Sequence, residues 1–247
     1  MIAALLYQGW RMFESPLPDL FITEVRHNPG AVFDVGANTG LYSLLGAACG
    51  AQSVHAFEPY PPVVELFRRN LAINSPRCHI HVVESALAAH EGRAVLYVPE
   101  PTSDHAVESS ASLSPTFKEI VDEALSVEVE VTTADSYWRR VGSPPISVMK
   151  IDVESRELDV LMGATQMIAR DRPIIFYELL PAGDAKSIGA FAAERNLIDI
   201  YASPSEIVVN SPIEFHSDAW NHVLVPWEKL DYTVARYRRM GMKVTLC

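Results

Sequence analysis

The sequence predicts an α/β fold in which helices cover both faces of a mostly parallel β-sheet. Short apolar runs alternate along the chain with segments of helical periodicity, and several runs are apolar throughout, as in strands buried on both faces. The 247 residues are 49% hydrophobic and 21% charged, which is enough to bury one large core. We therefore expect one domain over residues 1–247, with no linker dividing it.

Seven segments are predicted to be strands because they are short, apolar and rich in β-branched or aromatic residues. They cover residues 31–36, 53–58, 79–86, 147–153, 173–179, 197–203 and 222–227. Helical periodicity predicts helices between them. These helices cover 40–49, 60–73, a segment after the fourth strand that contains Leu158, Leu161, Thr165 and Ile168, then 184–195 and 228–240.

Two regions depart from this alternation. Residues 1–30 are predicted to form an N-terminal helical cap, in which Tyr7, Trp10 and Phe13 recur at helical spacing and would be core, a dimer contact or a lid. Residues 92–135 are predicted to be an insertion, with a long polar connection, a short helix from Ser114 and an alternating strand. Alternation indicates one solvated face, so we expect an edge strand or hairpin appended to the parallel sheet.

Charge and cysteine content exclude several functional classes. The 31 acidic and 20 basic residues give a net charge of −11, which disfavours binding to nucleic-acid phosphates. Three scattered cysteines are too few for a disulfide framework or a zinc knuckle. The N-terminus lacks the basic start of a signal peptide, and the uncharged stretch 35–57 contains polar residues that argue against a membrane span. We expect a cytoplasmic protein with a small-molecule partner and no nucleic acid.

The most informative segment is VFDVGANTGLYS, residues 32–43. Glycines there let backbone N–H groups approach a ligand closely. A dinucleotide fingerprint counted from Gly36 needs glycines at 38 and 41, where Asn38 and Leu41 stand, and no Lys-Ser/Thr pair completes a phosphate-binding loop. The spacing of Gly36, Asn38 and Gly40 after Asp34 is that of a nucleoside site without a pyrophosphate.

The second predicted strand ends in Phe57-Glu58-Pro59. Glu58 falls at the carboxyl edge of the sheet beside the glycine turn, where α/β sheets bind ligands. A carboxylate there can accept both hydroxyls of a ribose, and each hydrogen bond to a charged acceptor contributes about 1.5–3 kcal/mol. The alternative is a tight turn with no ligand, in which Glu58 caps the helix that begins near Pro61.

The fourth predicted strand contains a lysine where the sheet is covered on both sides. A period of two places Val148, Lys150 and Asp152 on one face, and a buried lysine is costly unless it is paired. Asp152 and Glu178 are the candidate partners. The pair either fixes strand geometry as a buried ion pair, or Lys150 and Asp152 reach the pocket and position a hydroxyl group.

Four motifs in order resemble the FkbM-type S-adenosylmethionine-dependent methyltransferases: FDVGANTGLYS, AFEP, MKIDVESRELDVLMGA and IIFYEL, over about residues 30–180. The resemblance implies the class I methyltransferase fold, a Rossmann-like three-layer sandwich. Its mostly parallel, seven-stranded sheet has an antiparallel last pairing. The resemblance also implies S-adenosylmethionine as methyl donor and a hydroxyl of a sugar, glycolipid or other natural product as acceptor.

The resemblance also assigns residues by position. It places Gly36, Asn38 and Gly40 in the cofactor turn, Glu58 on the ribose, the stretch 84–86 beside adenine and Asp152 at the reaction centre. The expected cofactor-binding set is Asp34, Gly36, Ala37, Asn38, Thr39, Gly40, Tyr42, Ser43, Glu58, Pro59, Glu84, Ser85, Ala86 and Asp152. In one departure from the family, Ser155 follows Glu154 where a glycine is usual, so the local geometry of the site could differ.

The resemblance leads to a hypothesis about catalysis. A general base contributes typically 10²–10⁴-fold to methylation of a hydroxyl. Asp152 is the predicted base, with Lys150 positioning the acceptor, and His105 in the polar connection is the next candidate. Asp152 could instead bind the methionine amine. Glu157, in the first turn of a helix, is expected to complement the helix dipole.

Alternatives to a metal-free methyltransferase stay open at this point. Mg²⁺ is a possible but not a favoured cofactor, because Asp152, Glu154 and Glu178 would have to converge in space. A catalytically silent scaffold that only binds S-adenosylmethionine is the alternative function. A homodimer is a possible assembly.

Overall fold

The computed structural model describes residues 14–99, 111–113, 124–204, 206–210, 212–217 and 220–246. The strands of this part are β1 (Ala31–Val35), β2 (Val54–Phe57), β3 (Ile80–Val83), β4 (Ala86–Leu87), β5 (Gly92–Pro99), β6 (Ala124–Thr132), β7 (Ile146–Ile151), β8 (Ile174–Glu178), β9 (Leu197–Ala202), β10 (Glu206–Asn210), β11 (Asn221–Pro226) and β12 (Lys243–Leu246). The α-helices are α1 (Leu17–His27), α2 (Leu41–Cys49), α3 (Pro61–Asn74), α4 (Ala134–Arg140), α5 (Glu157–Met162), α6 (Thr165–Asp171), α7 (Ala185–Glu194) and α8 (Leu230–Arg239), the last preceded by a 3₁₀ turn.

The main sheet has the spatial order β12-β10-β9-β11-β8-β7-β1-β2-β3. The five strands from β3 to β8 pair in parallel, and β11 is antiparallel to both β8 and β9. All seven predicted strands are therefore present, and the mostly parallel sheet with an antiparallel pairing is confirmed. Two further strands, β10 and β12, extend the sheet beyond β9. Neither strand is predicted from the sequence, because both are short runs with polar residues among the apolar ones.

Helices cover both faces of this sheet. One face packs on α1, α2 and α8 around Phe21, Val32 and Tyr237, and the other packs on α4 to α7 around Met149 and Leu161. Every residue of β1 and β7 is buried, as expected of central strands covered on both sides. The three-layer arrangement predicted from the sequence is confirmed.

The insertion differs from its prediction in one respect. β5 and β6 form the expected antiparallel hairpin, but this hairpin pairs with β4 in a separate three-stranded sheet instead of extending the parallel one. The predicted strand 79–86 breaks at Glu84 and Ser85, so that β3 stays in the main sheet while β4 joins β6. The second sheet buries its own small core, which includes Leu96 and Val129.

Several further predictions bear on helices. The segment after β7, predicted as one helix, forms two helices, α5 and α6. Gly163, between them, packs against the backbone of Ala88, so that an added Cβ would lie 2.1 Å from the carbonyl oxygen of Ala88. The aromatic residues predicted on the N-terminal cap, and the helix predicted from Ser114, lie outside the described residues. Within the described part of the chain, no helix has both the length and the apolar composition needed to span a bilayer.

Candidate active site

The glycine turn between β1 and α2 adopts left-handed backbone conformations. The φ angles are +73° at Gly36, +51° at Asn38 and +92° at Gly40. A Cβ at Gly36 would lie 1.8 Å from the carbonyl oxygen of Asp152, and one at Gly40 would lie 2.1 Å from the ring of Phe67. Both glycines are therefore required by conformation and by space.

Glu58 stands directly beside this turn and is 7% exposed. Its Oε2 accepts the backbone N–H of Asn38 at 3.0 Å, and its Oε1 accepts that of Tyr60 at 3.0 Å. Each carboxylate oxygen keeps a further lone pair for a ligand. Burial raises the pKa of Glu58 to about 7, although the two backbone donors act to lower it. The helix-capping alternative explains only the bond from Tyr60, because the bond from Asn38 ties the carboxylate to the glycine turn.

A pocket opens at the carboxyl edge of β1, β2, β7 and β8. Nine of the residues predicted for the site line it: Gly36, Ala37, Asn38, Tyr42, Glu58, Pro59, Ala86, Lys150 and Asp152. Six others lie outside this lining: Asp34, Thr39, Gly40, Ser43, Glu84 and Ser85. His105 lies outside the described residues.

The predicted residues outside the lining have other partners. Asp34 is buried and accepts a hydrogen bond from the Ser43 hydroxyl at 2.6 Å, which joins β1 to α2. Burial raises the pKa of Asp34, while the bond from Ser43 lowers it. Glu84 pairs with Arg68 of α3, and the Ser85 hydroxyl donates to the carbonyl oxygen of Glu130 at 3.1 Å. These residues support the pocket from behind or beside it.

Lys150 is buried, and its Nζ donates to Oδ2 of Asp152 at 2.7 Å. The same Nζ lies 4.7 Å from the centre of the Tyr42 ring. Burial acts to lower the pKa of Lys150, but the carboxylates of Asp152 and Glu14 outweigh it and hold the pKa above its ordinary value. Lys150 is thus a charged partner of Asp152, and both residues also line the pocket.

Glu14 was not found from the sequence. Its Oε2 accepts the hydroxyl proton of Tyr42 at 2.7 Å, across 28 residues of sequence, and its side chain lines the pocket. Burial raises the pKa of Glu14, and the charge of Lys150 opposes this. No periodicity marks a single acid ahead of α1, so only the fold reveals it.

Glu178 ends β8 and lines the same pocket. Burial raises its pKa to about 9, with a further contribution from Asp152 and an opposing one from Lys150. Glu157, in contrast, lies outside the lining. It accepts the backbone N–H of Val153 at 3.2 Å, and burial raises its pKa to about 7.

The loop after β7 has a backbone conformation that suits the glycine usual in the family. Glu154 and Ser155 have φ angles of +53° and +72°, which are left-handed conformations that glycine adopts at no steric cost. The usual glycine therefore fits the backbone that Ser155 must adopt here. The Ser112 hydroxyl of the insertion donates to the carbonyl oxygen of Glu154 at 2.9 Å and holds this loop against the pocket.

The insertion supplies one wall of the pocket. Leu96, Ala111 and Leu113 line it together with Val63 of α3, so this end of the pocket is apolar. The charged groups of the pocket include Lys150 of β7, Asp152 directly after it and Glu178 of β8. Among the described residues, no three acidic, histidine or cysteine side chains are arranged to hold a metal ion.

The family model of the methyltransferase FkbM domain matches residues 34–202. The chain belongs to this family. The matched range begins at Asp34, runs through the glycine turn, Glu58 and the Lys150–Asp152 pair, and ends in β9. The family resemblance seen in the sequence motifs is thereby confirmed.

The FkbM domain is similar to curated proteins that are longer than the match. It is 30% identical over 167 residues to methyltransferase sdnD of Sordaria araneosa, covering 59% of this chain and 64% of that protein. It is 27% identical over 214 residues to the AMB antimetabolite synthetase AmbE of Pseudomonas aeruginosa, covering 73% of this chain and 10% of the synthetase. The match thus spans less than two thirds of either relative.

A solved structure shows the same fold. The FkbM methyltransferase from Methylobacillus flagellatus superposes with a TM-score of 0.50 at 14% identity, covering 79% of this chain and 43% of that one. The FkbM domain described here has the class I methyltransferase fold.

Proposed function

We propose that this FkbM domain transfers a methyl group from S-adenosylmethionine to a hydroxyl group of a sugar, glycolipid or other natural-product small molecule. The observation that carries the proposal is the buried carboxylate of Glu58, held by the N–H groups of Asn38 and Tyr60 beside the glycine turn. A carboxylate fixed in this way presents two acceptor atoms to a vicinal diol.

The residues of the pocket fit S-adenosylmethionine. Glu58 would accept the two ribose hydroxyls, and the glycine turn lets the backbone approach the nucleoside. Leu96 and Leu113 supply an apolar wall for a flat base. The far end carries Glu14, Asp152 and Glu178, which suit the sulfonium and the amine. When bound, the donor supplies a methyl group on a positively charged sulfur.

The acceptor class is supported by the relatives and by the charged end of the pocket. One relative is named as an antimetabolite synthetase, which supports a small-molecule acceptor for the proposed reaction. The Lys150–Asp152 pair offers an ammonium donor and a carboxylate acceptor, the two groups that orient a hydroxyl. Mg²⁺ is not part of the proposal, and the predicted homodimer and cytoplasmic location stay predictions.

Calorimetric titration with S-adenosylhomocysteine tests the proposal. Wild type should bind, and Glu58→Ala should lose at least about a hundredfold in affinity, because two hydrogen bonds to a charged acceptor are removed. Glu65→Ala is the matched control, since Glu65 is an exposed glutamate on α3 that pairs with Arg69. Absence of binding by wild type would overturn the proposal.

A second measurement separates the enzyme from a silent scaffold. Incubation with labelled S-adenosylmethionine and a set of hydroxylated sugars and natural products should yield a methylated product. Tight binding with no transfer to any acceptor would favour the scaffold instead.

A further inference from the structure

The carboxylates in the pocket differ in whether the protein already supplies them with a donor. Glu58 accepts two backbone N–H groups. Glu14 accepts a hydrogen bond from Tyr42, and Asp152 accepts one from Lys150. Asp159 forms an ion pair with Arg156, and Glu154 also has an interaction partner. Within the described part of the chain, Glu178 is the pocket carboxyl group on which no hydrogen bond from the protein ends. Its oxygen atoms are left for a ligand.

The sheet places Glu178 away from the ribose site. Ile151 of β7 pairs with Tyr177 of β8, so Asp152 and Glu178 follow side by side at the carboxyl edge. From Glu58, which follows β2, the path crosses β1 and β7 to β8, which is three strand spacings or on the order of 14 Å. Glu178 therefore lines a part of the pocket that is separate from the ribose site proposed at Glu58.

We propose that Glu178 is the general base of this domain and that the Lys150–Asp152 pair positions the acceptor. The assignment rests on the proposed function above. The hydroxyl oxygen of the acceptor bonds to the methyl carbon as the carbon–sulfur bond breaks, the electron pair of that bond stays on sulfur, and the hydroxyl proton passes to the Glu178 carboxylate. Asp152, the base predicted from the sequence, already accepts a hydrogen bond from Lys150 at 2.7 Å.

The charges around Glu178 make its ionisation depend on the donor. Besides burial, Asp152, Glu154 and Glu14 raise its pKa, Lys150 lowers it, and Asn221 on the neighbouring strand carries no charge. With a pKa of about 9 the carboxyl group is protonated at neutral pH in the empty pocket. A sulfonium nearby favours the charged form, so Glu178 becomes a base when the methyl donor is present. The neutral thioether of the product removes that effect.

Proton release on binding tests this inference without an acceptor. S-adenosylmethionine and S-adenosylhomocysteine are each titrated calorimetrically at pH 7.5, in phosphate and in Tris. The difference in binding heat between the two buffers gives the number of protons released by each ligand. In wild type we expect S-adenosylmethionine to release about 0.5–1 proton more than S-adenosylhomocysteine. Glu178→Gln should abolish this difference while the variant still binds S-adenosylhomocysteine.

Control variants make the result specific. Glu194→Gln, on an exposed glutamate of α7, should behave as wild type. Glu178→Asp keeps a carboxyl group and should retain the difference, which keeps the test valid if Glu178→Gln folds poorly. With an acceptor in hand, Glu178→Gln should lower kcat by about 10²–10⁴-fold and remove the dependence of kcat on the ionisation of a base.

The outcomes separate this inference from the proposed function. Equal proton release by the two ligands in wild type would place Glu178 away from the sulfonium and overturn its assignment as base. A difference that persists in Glu178→Gln would also overturn it. Failure of wild type to bind S-adenosylhomocysteine at all would instead refute the nucleoside site.

Discussion

Lowering the pH should weaken the binding of S-adenosylhomocysteine through the protonation of Glu58. The carboxylate form accepts two hydroxyl protons, whereas the protonated form has lost part of its acceptor capacity. Because burial raises the pKa of Glu58 to about 7, the group changes its charge within an accessible range of pH. Binding should therefore be coupled to the release of a proton at neutral pH.

The magnitude follows from the pKa. If only the ionised form binds, the apparent Kd is multiplied by 1 + 10^(pKa − pH), which is close to 1 at about pH 8.5 and on the order of 30 at about pH 5.5. Affinity should thus fall about thirtyfold between these values, equivalent to about 2 kcal/mol. A surface glutamate with an ordinary pKa would give less than a twofold change over the same interval.

Calorimetry or fluorescence titration of wild type and Glu58→Gln across this range is the assay. The variant should bind more weakly, and its affinity should be constant with pH. A flat profile in wild type would refute the coupling. The same slope in both proteins would show that another group is responsible.

Three further predictions concern stability. Replacing Ser155, at φ +72°, with glycine should relieve a left-handed conformation and raise the free energy of unfolding by about 0.5–1 kcal/mol, measured by thermal or urea denaturation. Gly36→Ala should abolish folding or the binding of S-adenosylhomocysteine, because the added Cβ would clash with the backbone carbonyl of Asp152. Gly50→Ala is the control: Gly50 also has a positive φ, +109°, but an added Cβ there would meet no atom within 4 Å, so this variant should only lower Tm. The Tm of the ligand-free protein should fall as the pH rises from about 4.5 to 7, because buried Glu157, like Glu58 and Glu178, keeps a proton that the unfolded chain has lost. Glu157→Gln should reduce this slope.

Each of these has a result that contradicts it. An unchanged or lower stability of Ser155→Gly would show that the serine contributes a contact that outweighs the strain. Retention of wild-type Tm and affinity by Gly36→Ala would contradict the close packing of the turn. A Tm that rises with pH over this interval, or an undiminished slope in Glu157→Gln, would contradict the assigned protonation of this buried group.

Much of the framework could be predicted from local patterns. The buried strands are uninterrupted apolar runs, and their parallel pairing brings the residues that follow them to one edge, which is why Asp34, Glu58 and Asp152 could be placed together before the fold was known. The conformational demand of Gly36 also follows from its position after a strand. These features depend on the local sequence and on one rule, that the carboxyl ends of parallel strands lie at the same edge of the sheet.

The parts that could not be predicted depend on contacts between distant segments. The hydrogen bond from Tyr42 to Glu14 requires the segment ahead of α1 to pack against the start of α2. No local sequence pattern predicts this contact. The separate second sheet depends on a break at Glu84 and Ser85, within the segment 79–86 that was predicted to be one strand. The absence of a described donor at Glu178 is a property of its neighbours in space, and it changed the preferred base from Asp152.

The reversed direction of β11 has a consequence for how members of this family can diverge. Because β11 is antiparallel to β8, it is the start of this strand, at Asn221, that lies against Glu178. In the proposed function, β1 and β2 carry the residues that bind the nucleoside, and the start of β11 lies beside the proposed base, Glu178. We expect substitutions around Asn221 to change which compound is methylated, while nucleoside binding at Glu58 is unaffected.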